Sequence, residues 1–190
     1  RKESSAASDV YKRQLEYSFT LKYQLAQRDA HHDELVERLG AAGCDDALVG
    51  IGQPGRIALA FVREADSARA ALLGALAEVK QAIPSAKLIE AAPDFVGLTD
   101  VADAVGVSRQ NMRKLMVNHA TSFPTPVHEG SASIWHLAEV MSWLQARGTY
   151  NVDASMLEVA QSAMQVNLAK EVAVRQLQPE LHRGLRALFA

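Results

Sequence analysis

Three features of this chain predict an α+β fold. One segment near the start alternates apolar and polar residues with a period of two. Two short apolar runs meet across a Gly-Gln-Pro-Gly turn, and long stretches elsewhere space their apolar residues at three and four. Taken in order, Tyr17, Phe19, Leu21, Tyr23 and Leu25 alternate with Ser18, Thr20, Lys22 and Gln24, which predicts a half-buried strand. Asp33–Ala42 reads as a helix with Leu35, Val36 and Leu39 on its apolar side, ended by Gly40 or Gly43. Ala47–Ile51 and Arg56–Arg63 are strands joined at Gly52-Gln53-Pro54-Gly55. Ser67–Ala82 is a second helix, with Leu72, Leu76, Val79 and Ile83 at helical spacing, and Pro84 stops it. Lys87–Ala91 is a short last strand, and Ala91-Ala92-Pro93-Asp94 reads as a linker.

The resulting order over residues 15–92, βαββαβ, resembles the ferredoxin-like sandwich. That fold carries many functions, so any function must come from a site. An RNA-recognition role would need aromatic residues on the open sheet face, and the first strand offers Ser18, Thr20, Lys22 and Gln24 there instead. Two uses remain. One is ligand sensing of the kind found in ACT-like regulatory domains, with a small-molecule effector that no residue pattern identifies. Gly50-Ile51-Gly52-Gln53-Pro54-Gly55 is too short for a phosphate loop and does not precede a helix. The other, which the residues favour, is dimerisation or docking through the open sheet.

The most specific signal lies between Leu98 and Met116, in the stretch LTDVADAVGVSRQNMRKLM. A first helix starting at Thr99, with the hydroxyl as N-cap, carries Val101, Ala102 and Val105. Gly106 breaks it, because glycine enters a left-handed turn at no steric cost. Ser108 caps a second helix in which Met112, Leu115 and Met116 stand at i, i+3 and i+4 and form the buried side. Small Ala102 permits a close crossing, and Val107 fills the corner. This is the pattern of a helix-turn-helix. At about 100° per residue, Gln110, Arg113 and Lys114 point away from the buried side, flanked by Arg109 and Asn111. Arginine bonds guanine O6 and N7, and Gln or Asn bonds adenine N6 and N7. Lys114 and the Ser108 hydroxyl suit phosphates. The second helix holds no acidic residue, unlike an ordinary solvated face.

After it, Phe123-Pro124-Thr125-Pro126-Val127 must be extended, since each proline drives its predecessor out of the helical region. His128–Ser131 reads as a turn, Ala132–Trp135 as a strand, and His136–Gln145 as a helix with Leu137, Val140, Trp143 and Leu144 on one side. The stretch from Val96 to Arg147 resembles the winged helix-turn-helix domains of the MerR superfamily, above all its AlpA-like and excisionase-like members. Phe123, Pro124, Pro126, Gly130, Trp135, Val140, Trp143 and Leu144 carry the resemblance. It implies that Arg109, Gln110, Arg113 and Lys114 read or clamp DNA, with the wing near a flanking groove. One departure matters. Wings in this group usually carry Arg or Lys, and this one carries Glu129, which leaves open whether it contacts DNA or only covers the core. Leu98–Gly148 holds four Lys/Arg and four Asp/Glu. Affinity for DNA rests largely on phosphate neutralisation, so a neutral module calls for a dimer or a partner.

Asp153–Leu177 and Glu180–Phe189 are helical, the first with Met156, Leu157, Ala160, Met164, Leu168 and Val172 as a broad apolar face, the second ending in Leu185, Leu188 and Phe189. Such a face must be buried, on its own chain or against a second subunit. Residues 1–14, RKESSAASDVYKRQ, resemble translated sequencing-adaptor read-through. They lack the apolar core of a signal peptide, and the genuine chain is expected to begin near Leu15 or Glu16. Without them 16 Lys/Arg face 20 Asp/Glu. The lone Cys44 fits a reducing cytoplasm and reads as buried filler. His31 and His32 are adjacent and cannot face one metal, and His119, His128 and His136 fall in different elements, so no metal or cofactor is expected. No HExxH, CxxC, P-loop, GxSxG or dinucleotide signature occurs, and the chain reads as non-enzymatic.

The sequence therefore predicts a leader (1–14), a ferredoxin-like domain (15–92), a winged helix-turn-helix (95–148) and a helical segment (151–190). The expected partner is double-stranded DNA, bound by a cytoplasmic homodimer that regulates transcription and touches no membrane. The alternatives are a protein-interaction adaptor whose helix-turn-helix has lost DNA binding, and a phage-type excisionase.

Overall fold

The computed structural model describes residues 15–29, 31–175 and 178–189. The predicted leader lies outside these residues, as do Gln176 and Leu177, into which the long C-terminal helix was expected to run. Helix and strand are mixed, as the α+β class requires. The first half comprises β1 (Leu15–Gln24), a 3₁₀ turn (Gln27–Asp29), α1 (His32–Ala41), β2 (Ala47–Gly50), β3 (Arg56–Ala65), α2 (Ala68–Ala82) and β4 (Lys87–Ala92). The four strands form one sheet in the order β2-β3-β1-β4, every neighbouring pair antiparallel.

The alternation read in β1 decides which face of this sheet is covered. Tyr17, Phe19, Leu21 and Tyr23 are buried, and the register sets them beside Ile57, Leu59 and Phe61 of β3. Phe19 and Phe61 stack with ring centroids 5.1 Å apart. Leu35 and Leu39 of α1 and a small-residue side of α2 (Ala68, Ala71, Leu72, Ala75, Val79) close the core. Val36 is 46 % exposed, against its predicted place on the apolar side of α1, because it stands one position, about 100°, from Leu35. Ser67 caps α2 by accepting from Ala70 N at 3.1 Å. Arg63 ties three elements together: it donates to both Asp46 oxygens (2.7 and 2.8 Å), to Glu78 at 2.7 Å and to Gly43 O at 3.3 Å. Gly43, at φ 102°, makes the left-handed turn after α1 that presents this carbonyl.

The second half follows without a break: β5 (Phe95–Val96), α3 (Leu98–Ala104), α4 (Arg109–Asn118), β6 (His128–Glu129), β7 (Ser133–His136), α5 (Leu137–Arg147), α6 (Ala154–Val174) and α7 (Pro179–Phe189). A second sheet runs β5-β7-β6. Val101, Ala102, Met112, Trp135, Val140, Met141 and Leu144 build its core. Helix α6 belongs to both halves. Val159 and Ala163 enter the first core, whereas Leu157 and Ala160 enter the second. Its Glu158 accepts from Tyr17 Oη and from Ala68 N, both at 3.0 Å, and so also closes the start of α2. Leu168 and Val172, expected on the buried side of this helix, are 47 % and 66 % exposed. The buried stripe turns instead through Ala163 and Asn167, toward β4.

One buried polar atom among the described residues has no partner, the Tyr23 hydroxyl. Tyr23→Phe should therefore leave thermal stability unchanged or higher, while Tyr17→Phe, which loses the bond to Glu158, should cost about 0.5–1.5 kcal/mol in denaturant unfolding. Burial, with Glu78 nearby, pushes the Cys44 thiol up to about 11. A thiol reagent at about pH 8 should label Cys44 only as fast as the chain unfolds.

Candidate nucleic-acid interface

The interface is built from α3, the turn after it and α4. The N-cap of α3 lies two residues earlier than expected. Gly97 is its N-cap residue, and the Asp100 carboxylate accepts from Gly97 N at 2.8 Å, so the predicted Thr99 cap is displaced into the first turn. Val101 and Ala102 are fully buried, and Ala102 O accepts from Val107 N at 2.9 Å, closing the corner that Val107 fills. Gly106 sits at φ 69° with no atom within 4 Å of the position its Cβ would occupy. The backbone conformation rather than space selects glycine here.

Ser108 caps α4 as predicted, its Oγ accepting from Asn111 N at 3.2 Å. The oxygen is thus committed to the helix, which leaves the hydroxyl proton for an outside acceptor. Met112 is buried, and Leu115 and Met116 pack partly against the same core. The opposite side is open. Arg109, Gln110, Asn111, Arg113 and Lys114 are all exposed, and none of their side chains bonds to a described residue. All six predicted site residues therefore share one helix and its cap, with the two guanidinium groups and the amine directed to solvent.

The hairpin after α4 differs in detail from its expected form. His128 and Glu129, read as turn residues, form β6 and pair with Ile134 and Ser133. The turn is displaced to residues 130–132. Strand β7 pairs on its other side with Phe95 and Val96, a strand too short for sequence periodicity to reveal. Phe123 wedges edge-on between Trp135 and Trp143, with centroids 6.1 and 5.1 Å away, and Trp135 Nε1 donates to Pro124 O at 3.1 Å. These contacts hold the extended Pro-Thr-Pro segment against the end of α4. Glu129 is exposed at the hairpin.

Sequence reasoning missed two arrangements. At the C-terminal end of α4, the Arg147 guanidinium lies 4.7 Å above the Trp143 ring and donates to His119 Nε2 at 2.9 Å. A guanidinium has only donors, so the imidazole nitrogen accepts. This places a fourth cation beside the recognition segment. The second arrangement lies behind it. Asp94, expected in a linker, is 1 % exposed; its Oδ1 contacts His136 Nδ1 at 2.6 Å and its Oδ2 accepts from Asn167 Nδ2 at 2.7 Å. Asn167 also bonds both the N–H and the C=O of Ala91, at 2.9 and 2.8 Å, and Leu137 N donates to Asp94 O at 2.7 Å. One buried cluster so joins β4, β7, the start of α5, and α6. Among the described residues no group of His, Cys, Asp and Glu is placed to hold a metal ion.

Residues 94–148 match the family described as prophage CP4-57 regulatory protein (AlpA). That match supports an AlpA-like DNA-binding domain over this stretch. It begins at Asp94 and ends at Gly148, the left-handed residue closing α5. No curated protein and no solved structure matches the chain.

Asn167→Leu removes three hydrogen bonds and leaves a buried carboxylate oxygen and a peptide group unpaired. It should cost about 3–5 kcal/mol in urea unfolding, with Asn111→Leu on exposed α4 close to neutral as the control.

Proposed function

We propose that this protein binds duplex DNA with α4 in the major groove and acts as a regulator of transcription. The observation that carries this reading is the outward face of α4: two arginines, a lysine and two amides, free of partners among the described residues, on a helix anchored by buried Met112. The AlpA-type match over the same residues supports it. Arg113, Arg109, Gln110 and Asn111 meet base edges, Lys114 and the Ser108 hydroxyl meet phosphates, and the β6–β7 hairpin acts as a wing of MerR-superfamily type. With Glu129 on it, the wing contributes little affinity. The N-terminal half serves as a ferredoxin-like assembly domain; its strand order and pairing support that assignment. The protein works as a cytoplasmic homodimer and catalyses no reaction. If it takes a small effector, the cavity of about 550 Å³ lined by Leu25, Gln27, Ile51 and Pro54 at the β2–β3 turn is the place to seek it.

The equal numbers of acidic and basic residues over Leu98–Gly148 favour a second reading, an adaptor that no longer binds DNA. Fluorescence anisotropy with a random duplex separates the two. A DNA-binding dimer should lose affinity on the order of a hundredfold as salt rises from about 50 to about 200 mM, and Arg113→Ala with Lys114→Ala should flatten that dependence. Affinity that is absent at low salt, or insensitive to salt, would leave the adaptor. An excisionase role within DNA binding would show as a sharply bent target in circular-permutation gels.

A further inference from the structure

Helices α1, α2 and α6 pack on one face of the four-stranded sheet, and the other face carries exposed Leu48 and Val62. The registers order that open face into rows. At one end Glu16 of β1 stands directly opposite Glu64 of β3. At the other end Gln24 stands between Arg56 of β3 and Lys87 of β4. The middle row is Leu48, Ala60, Thr20 and Ala92, one residue from each strand. Leu48 is 76 % exposed, and Val62 in the adjoining row is 57 % exposed. Two carboxylates facing each other across a strand pair, and two cations at the far end, are unfavourable arrangements in one chain. None of the four forms an ion pair with a described residue.

We propose that this face is the homodimer interface, packed sheet to sheet on a second copy around a two-fold axis that runs along the middle row. The unpaired charges at the two ends of the face single out a second copy as the occupant; between them Lys22 and Glu90 already pair within the chain at 2.9 Å. Rotation about that axis reverses the strand direction, so Glu16 and Glu64 of each copy meet Arg56 and Lys87 of the other. The small residues of the middle row then stack on themselves, where their size allows the close approach of two sheets. Self-complementarity of this kind is what a two-fold interface demands. Four strands about 4.8 Å apart, with same-face residues about 6.7 Å apart along each, give a face on the order of 600 Å². A pair would bury on the order of 1,200 Å², the lower bound of specific interfaces. This interface goes beyond the DNA-binding reading and does not depend on it.

Sedimentation equilibrium of the full chain without DNA tests the interface, with circular dichroism to confirm folding. The wild type should dimerise. Ala60→Arg, which sets like charges face to face beside the axis, should give a folded monomer. Glu16→Lys with Glu64→Lys, both exposed, should weaken the dimer by about tenfold or more. Adding Arg56→Glu and Lys87→Glu to that chain should restore it. If Ala60→Arg fails to fold, the charge-exchange series decides. A wild type that stays monomeric at the highest attainable concentration overturns the proposal. So does a dimer indifferent to the charge reversals, which would pair instead through exposed Leu168 and Val172 of α6. Duplex binding is read in a separate experiment, so either conclusion can fail alone.

Discussion

Helix α6 lies against two hydrophobic cores at once, and the position of everything after β4 depends on it. With about 100° per residue, Val159 and Ala163 form one stripe while Leu157 and Ala160 form another, turned by roughly 110°. Apolar contact of this kind is strong but not directional. It would tolerate a slide of the helix along the sheet. Asn167 removes that freedom, because its amide pairs with the peptide group of Ala91 as another backbone unit would, and its remaining proton meets Asp94.

The Asp94 carboxylate is the costly part of this arrangement. Burying it is tolerable only with donors on both oxygens, which Asn167 and His136 supply. The return is specificity of placement. Asp94 O receives the first N–H of α5, α5 shares its core with Met112, and Met112 sets the rotation of α4. A rigid path of hydrogen bonds and packed side chains thus runs from the four-stranded sheet to the exposed cations. The DNA-binding module is oriented by the sheet rather than tethered to it.

Much of this was legible in the residues, for reasons that also explain the gaps. The two-residue period of β1 is read by one covered face, so Tyr17 to Tyr23 announce it. Met112, Leu115 and Met116 announce the buried side of α4 because one core receives that helix, and the outward set follows by subtraction. Helix α6 defeats the same logic. It meets two cores in its first half and a polar latch later, so Leu168 and Val172 extend a pattern that the packing abandons. Val36 failed through simple adjacency to Leu35. The Thr99 cap was wrong because the helix starts earlier, at Gly97, whose N–H is held by the Asp100 carboxylate from the third helical position; Thr99 is then already inside the first turn. The latch itself joins residues 42, 73 and 76 positions apart, and no local spacing encodes such pairs.

The charge balance bears on how this chain meets a polyanion. With 20 Lys/Arg against 22 Asp/Glu, the protein as a whole has no attraction for DNA. With a net charge so close to zero, long-range attraction to a polyanion is small, and the cations of α4 act on orientation more than on affinity. A single helix with three cations displaces few counterions. In the paired arrangement proposed for the open sheet, the second α4 acts at a high effective concentration once the first is bound. Because the latch fixes each α4 to its own sheet, the distance between the two helices is set by the fold rather than by a linker. In that paired arrangement the weak electrostatics of one copy and the rigid attachment of its module would act together, and affinity would be available only to DNA whose half-sites match that distance.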